Sequence, residues 1–260
     1  MPPPAVAPWR SLFLTSLEKS KASSFSLTTV AYNAQHKPVP RSRTVEFRGF
    51  WPKPASALHP SGSEALKAQN IGLKPEVYDS DMLSITTDAR MKKTGELAES
   101  DGVVEGLFWF EPVSVQWRIR GRAIVIGGPA MEKAEWEARE RIRKGMRLRE
   151  GVDGNGEDVK SWDWDRQVTT YFAAHTPVMR GSFKNPPPGV PRSETPSTPE
   201  LKLNQKVEDL NDPIARENFR VLVICPEEVE ILDLSSPDDV RRTNWVFEDG
   251  GKWEEIDLWP

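Results

Sequence analysis

Two groups of basic residues stand out as able to do chemistry. Arg41, Arg43 and Arg48 fall within one β-rich stretch, and Arg90, Lys92 and Lys93 follow the short run Leu83-Ser-Ile-Thr-Thr87. Arg41 and Arg43 are two apart, so on a strand they share a face with Val45 and Phe47. The second group opens an expected helix, where free N–H groups and the positive end of the helix dipole already favour an anion. Cations added there suit a phosphate, and each charge-assisted bond to one contributes roughly 1.5–3 kcal/mol. The same spacing also describes a basic helix face turned to solvent. Pattern alone leaves both readings open.

Other chemistries find less support. The acidic loop from Asp153 to Asp158 has the composition of a calcium loop, but Asp158 stands where such a loop needs Gly and Trp164 where it needs Glu. His36, His59 and His175 are scattered, and the single cysteine, Cys225, has no CxxC partner. Neither a metal site nor a cysteine nucleophile is expected. Cys225 ends the apolar run Val221-Leu-Val-Ile-Cys225, which reads as a buried, inert thiol. No Walker loop and no GxGxxG is present, and no catalytic acid or base declares itself.

The elements that must position the cations alternate in character along the 260 residues. Trp9, Leu12, Phe13, Ser16 and Leu17 repeat at helical spacing. Residues 25–32 and 39–50 predict a hairpin with a longish loop. Strands are predicted at 82–87, 103–111 and 115–126, and Asp88 is placed to cap a helix running to Glu99. Helices are predicted over 132–149 and 162–174. Residues 52–80 and 130–160 read as surface insertions, and 185–200, with six prolines, as an extended connector. Strands return at 219–225, 229–234, 240–247 and 253–258. Strands at both ends, joined by hairpins, predict one mainly antiparallel β domain over 1–260 with peripheral helices.

With 35 basic and 39 acidic residues the formal charge is −4, which gives no general case for a nucleic-acid partner. No run of about 18 apolar residues predicts a membrane span, and the N-terminus does not read as a secretory signal. One cysteine fits a reducing compartment, so a cytoplasmic location is expected.

Several segments resemble the FMN-binding split-barrel family of pyridoxamine 5'-phosphate oxidase. Arg43-Thr-Val-Glu-Phe-Arg48 is similar to that family's Arg-x-Val-Leu-Leu-Lys strand, and Thr86-Thr87 with Lys92-Lys93 to its Tyr-Thr and Arg-Lys pairs. Arg90 is closer to the family's divergent, mostly uncharacterised branch. Gln116-Trp-Arg-Ile-Arg-Gly121 resembles a strand whose Gln contacts the flavin ring, and Thr176-Pro-Val-Met-Arg-Gly-Ser-Phe183 and Trp253-Glu-Glu-Ile-Asp-Leu-Trp-Pro260 add two further likenesses.

The resemblance implies a split barrel, FMN as cofactor, and a homodimer with each FMN between two subunits. The residues it assigns to the cofactor are Arg43, Thr44, Val45, Arg48, Thr86, Thr87, Arg90, Lys92, Lys93, Gln116 and, by a one-residue shift, Arg242. It departs where the oxidase grips its phosphorylated substrate: the Arg-x-His pair falls on Asp239-Val-Arg241, and no His follows His175. The resemblance therefore implies an FMN-dependent oxidoreductase of unknown small-molecule substrate, without efficient pyridoxamine 5'-phosphate oxidase activity. A non-catalytic flavin-binding or flavin-storage protein stays open beside it.

Overall fold

The computed structural model describes residues 4–53, 58–73, 75–248 and 251–260. Helix α1 (Arg10–Ser20) precedes the hairpin β1 (Ser24–Tyr32) and β2 (Pro38–Glu46). Helix α2 (Pro60–Ala68), the short β3 (Tyr78–Asp79), β4 (Leu83–Asp88) and helix α3 (Lys92–Glu99) follow. Then come β5 (Val103–Phe110), β6 (Val115–Ile126), α4 (Lys133–Arg143) and β7 (Arg147–Leu148). Helices α5 (Glu157–Ser161), α6 (Trp164–Ala173), α7 (Pro177–Gly181) and α8 (Pro213–Asn218) lead to β8 (Phe219–Asp233), β9 (Arg241–Phe247) and β10 (Trp253–Leu258).

Eight strands form one sheet in the order β10-β9-β8-β6-β5-β1-β2, with β4 attached to β8. Every strand pairing among the described residues is antiparallel. The two predicted strands at 219–225 and 229–234 are one continuous strand, whose first half lies between β4 and β6 and whose second half lies between β6 and β9. The change of neighbour coincides with a register shift at Arg120/Gly121, opposite Pro226. Proline lacks the ladder donor and is tolerated at such an irregularity. Gly121 is needed there, because a Cβ would lie 2.0 Å from the Cys225 carbonyl oxygen.

Aromatic side chains fill the space enclosed by the sheet. Phe13 of α1 meets Phe47, Phe108 and Trp117 edge-on, with centroids 5.7, 5.1 and 5.4 Å away. A second cluster joins Trp51, Leu66, Ile142, Tyr171 and Phe172 on the other side of β4, β6 and β8. The described parts of 52–80 and 130–160 therefore do more than decorate the surface: α2 and α4 bury Leu66 and Ile142. Residues 54–57 and 74 lie outside the described residues. Asp88 does not cap α3, because its backbone stays in β4, paired with Phe219; Met91 takes the cap position. Among the described residues no helix is long and apolar enough to cross a membrane.

Candidate functional site

Gly49 turns the chain out of β2 with φ +102°, a conformation open to glycine. Residues 48–50 then run beside β4, with the Arg48 N–H donating to the Ser84 carbonyl at 2.8 Å and the Ser84 N–H to the Gly49 carbonyl at 3.0 Å. This places Arg48 beside Thr86 and Thr87, and α3 brings Lys93 to the same end. A cavity of about 920 Å³ opens there, lined by Thr44, Val45, Arg48, Thr86, Thr87 and Lys93 on the strand side.

Two cations in this cavity lack the partners that buried charges require. The Arg48 Nε is buried without a hydrogen-bond partner, and no carboxylate among the described residues lies within ion-pair distance of Arg48. Burial lowers the Arg48 guanidinium pKa, against the pull of Glu46. The Lys93 Nζ donates to the Thr87 hydroxyl at 3.0 Å and approaches the Met91 sulfur at 3.2 Å. Burial and the nearby Arg43 push its pKa down to about 8. Donors of this kind, held desolvated at one end of a cavity, suit an anion.

The opposite wall comes from α7 and residues 182–203. His175 closes the inner end, with its Nε2 2.9 Å from the Thr86 hydroxyl. Burial, then the charges of Arg48, Arg180 and Lys53, pushes its pKa down to about 3, so the imidazole is neutral at ordinary pH. The proline-rich stretch expected as a connector lines the cavity with Pro186, Pro187, Pro188, Pro191 and Pro196.

The predicted residues divide in their surroundings. Arg43 is committed to Glu96 at 2.6 Å and to Thr29 at 2.5 Å. Burial would raise the Glu96 carboxyl, but hydrogen bonds from Thr29 and Arg43 hold it below the ordinary value. Arg90 is committed to Asp88 through Nε and Nη2, at 2.9 and 2.6 Å. Its remaining donors reach the carbonyls of Asn185 at 3.0 Å and Phe183 at 3.3 Å. Lys92 is exposed, its Cε 3.8 Å from where a Cβ on Gly189 would stand. Gln116 and Arg242 lie away from the cavity: Gln116 pairs across the sheet with Trp109 and Leu232, and Arg242 is 2.8 Å from Glu230. Asp239 and Arg241 bind each other at 2.5 Å.

Sequence reasoning missed His175 and the proline-rich wall, since both reach the cavity through contacts some 90 residues or more away in the chain. Burial pushes the Cys225 thiol up to about 12, as an inert thiol requires. Among the described residues no group of His, Cys, Asp and Glu could hold a metal ion.

Residues 6–127 match the family model described as the pyridoxamine 5'-phosphate oxidase FMN-binding domain. The chain is 24% identical over 235 residues to pyridoxine/pyridoxamine 5'-phosphate oxidase 2 of Arabidopsis thaliana, covering 89% of this chain and 85% of that protein. It is similar in structure to a pyridoxamine 5'-phosphate oxidase-related, FMN-binding protein from Nostoc punctiforme PCC 73102, with TM-score 0.59 and 19% identity over 98% and 99% of the two chains. PhzG from Burkholderia lata 383, solved in complex with tetrahydrophenazine-1-carboxylic acid, gives TM-score 0.50 and 15% identity over 99% of this chain and 94% of its own. These likenesses identify the fold as an FMN-binding split barrel.

Proposed function

Because residues 6–127 match the model of the pyridoxamine 5'-phosphate oxidase FMN-binding domain, we propose that the cavity holds FMN and that the protein is an FMN-dependent oxidoreductase. The observation that carries this reading is the pair of cations without carboxylate partners, Arg48 and Lys93, in one cavity. They fit the phosphate-bearing cofactor, with Thr86, Thr87 and the β2 edge at Thr44 and Val45 alongside to orient it. Bound FMN supplies the electron-transfer chemistry, and the protein supplies grip, orientation and hydrogen bonds. Arg43 and Arg90 act one step back. Arg43 is held by Glu96 beside Lys93, where its charge helps to depress the Lys93 pKa, and Arg90 ties the end of β4 to the opposite wall.

Gln116 and Arg242 reach this cofactor only if a second copy of the chain brings them, which is the arrangement of a homodimer. Trp109, opposite Gln116 on β5, is 48% exposed and supplies apolar surface for such a contact. Light scattering returning a single-chain mass for the FMN-loaded protein would refute the dimer.

The test of the cofactor is a fluorescence-quenching titration with FMN and riboflavin. Losing two or three charged bonds to the phosphate costs several kcal/mol, so riboflavin should bind orders of magnitude more weakly. Equal affinities would sink the reading.

A storage or carrier role is the second reading, favoured by one observation: the imidazole in the cavity, buried and bonded to the Thr86 hydroxyl, is held neutral and is a poor proton donor near neutrality. Reduction of the bound flavin by NADH or NADPH, with turnover to an acceptor, separates the two. Efficient oxidation of pyridoxamine 5'-phosphate is not expected, because Asp239 and Arg241 neutralise each other and Arg242 is held by Glu230. Formation of pyridoxal 5'-phosphate at the rate of a dedicated oxidase would overturn that expectation.

A further inference from the structure

Met179, Val190 and Leu203 are large apolar side chains that are 47%, 45% and 55% exposed. All three line the same cavity, on the wall facing Arg48 and Lys93. Phe183 continues that wall inward and is buried, with its ring centroid 6.1 Å from His175 and 5.0 Å from Phe219. The charged side chains on this wall, Arg192 and Glu194, are opposite in sign and exposed.

The wall is also held in place before any ligand arrives. Proline fixes φ at five of its positions. Its inner end is stapled through main-chain carbonyls: Arg90 and Asn218 donate to Phe183, Arg90 to Asn185, and Gln205 to Lys184 at 3.1 Å. A wall fixed in this way loses little conformational entropy on binding. At about 920 Å³ the cavity lies near the top of the range of small-molecule and cofactor sites, about 300–1,000 Å³, and is large enough for a cofactor with a small ring beside it.

We propose that the wall formed by Met179, Phe183, Val190 and Leu203 is a substrate-side subsite for an uncharged, flat, apolar ring compound lying beside the cofactor. The inference rests on the FMN reading above, which assigns the two cations without carboxylate partners to the phosphate and leaves this wall for a second molecule. A neutral His175 at its inner end, with its Nε2 engaged by the Thr86 hydroxyl, presents no charge to such a ring. The cation lining this side is Arg192, exposed to solvent and opposed by Glu194 of the same wall, while the Arg90 guanidinium is already spent on Asp88 and two carbonyls. A second copy of the chain is the competing occupant, but the residues converge on a concavity that ends in buried cations, not on an open face.

The test uses the full chain loaded with FMN and two probes of one shape, 2-naphthol and naphthalene-2-sulfonate. Binding is read from the shift of the flavin visible band and by calorimetry. We expect 2-naphthol to bind at least tenfold more tightly than the sulfonate. Met179→Asn and Leu203→Asn, both at exposed positions and adding polarity without a charge facing the phosphate, should each weaken 2-naphthol at least tenfold and change FMN affinity less than twofold. Equal binding of the two probes, or variants that retain 2-naphthol affinity, would overturn the subsite while leaving FMN binding intact. Variants that lose only the dimer by light scattering would reassign the wall to a subunit contact. Failure to bind FMN at all overturns the cofactor reading and this inference with it.

Discussion

Two ionic regions of the molecule contrast in how completely they are closed. Arg10 and Arg147 reach across Asp79 and Asp81 from opposite sides, with four contacts between 2.6 and 2.9 Å. Each charge meets two of opposite sign, so the group is neutral and locks α1 to β3, β7 and the start of β4. Burial would raise the Asp81 carboxyl, but hydrogen bonds from Arg147 and Arg10 bring it below its usual value. In the cavity, Arg48 and Lys93 are also enclosed, and among the described residues no carboxylate comes within ion-pair distance of either, although Glu46 and Asp88 line the same cavity. The comparison teaches that basic residues become informative only once their partners are known. A closed set is structure, and an open set in a concavity awaits an anion.

The largest effect that sharpens this contrast is on stability. Asp81→Ala should leave both arginines part-buried and short of a partner, costing about 3–5 kcal/mol. Chemical denaturation would measure it, and a loss below 1 kcal/mol would show that the clasp is dispensable.

The cavity cations should behave in the opposite way. Arg48→Ala and Lys93→Ala should each weaken FMN by about 1.5–3 kcal/mol, or roughly 10- to 150-fold. The ligand-free chain should lose little stability, since each change removes a desolvated charge whose burial outweighs the pull of the nearest carboxylates, Glu46 on Arg48 and Asp88 and Glu96 on Lys93. Titration of FMN alongside a thermal melt checks both halves, and a large drop in stability with unchanged affinity would break the comparison. Arg90→Ala lies between the two. It should destabilise by about 1–3 kcal/mol by leaving the buried Asp88 carboxylate and two carbonyls with fewer donors. Faster proteolysis within 185–200 should accompany it.

The two basic clusters were legible in the sequence, and so were their strands, because two-residue periodicity and the Leu83–Thr87 run are local signals. The commitment of each cation was not. Arg43 and Glu96 are 53 residues apart, and nothing in either segment names the other. Asp88, two residues from Arg90, reads as a helix cap, and only the continuation of β4 opposite Phe219 turns it into an ion-pair partner. The proline-rich stretch reads as a connector because proline composition reports stiffness, not location. Its place over the cavity is set at its two ends, by Arg90 on the Asn185 carbonyl and Asn218 on the preceding Phe183 carbonyl, and by Gln205, which joins the carbonyls of Lys184 and Glu200.

The smallest expected effect is in the pH dependence, and it tests Lys93 alone. Its folded pKa is depressed from 10.5 to about 8, chiefly by burial and then by Arg43. Between those two values the unfolded chain holds the proton and the folded chain does not, so the stability of the ligand-free protein should rise with pH across that window. Anion binding has the opposite sign, because the phosphate stabilises the charged ammonium. FMN affinity should be level below about pH 8 and fall above it, by no more than about tenfold per pH unit for one proton. Lys93→Met keeps the side-chain length without the charge and should flatten both slopes. Stability and affinity that rise together through this window would show that Lys93 does not face the phosphate.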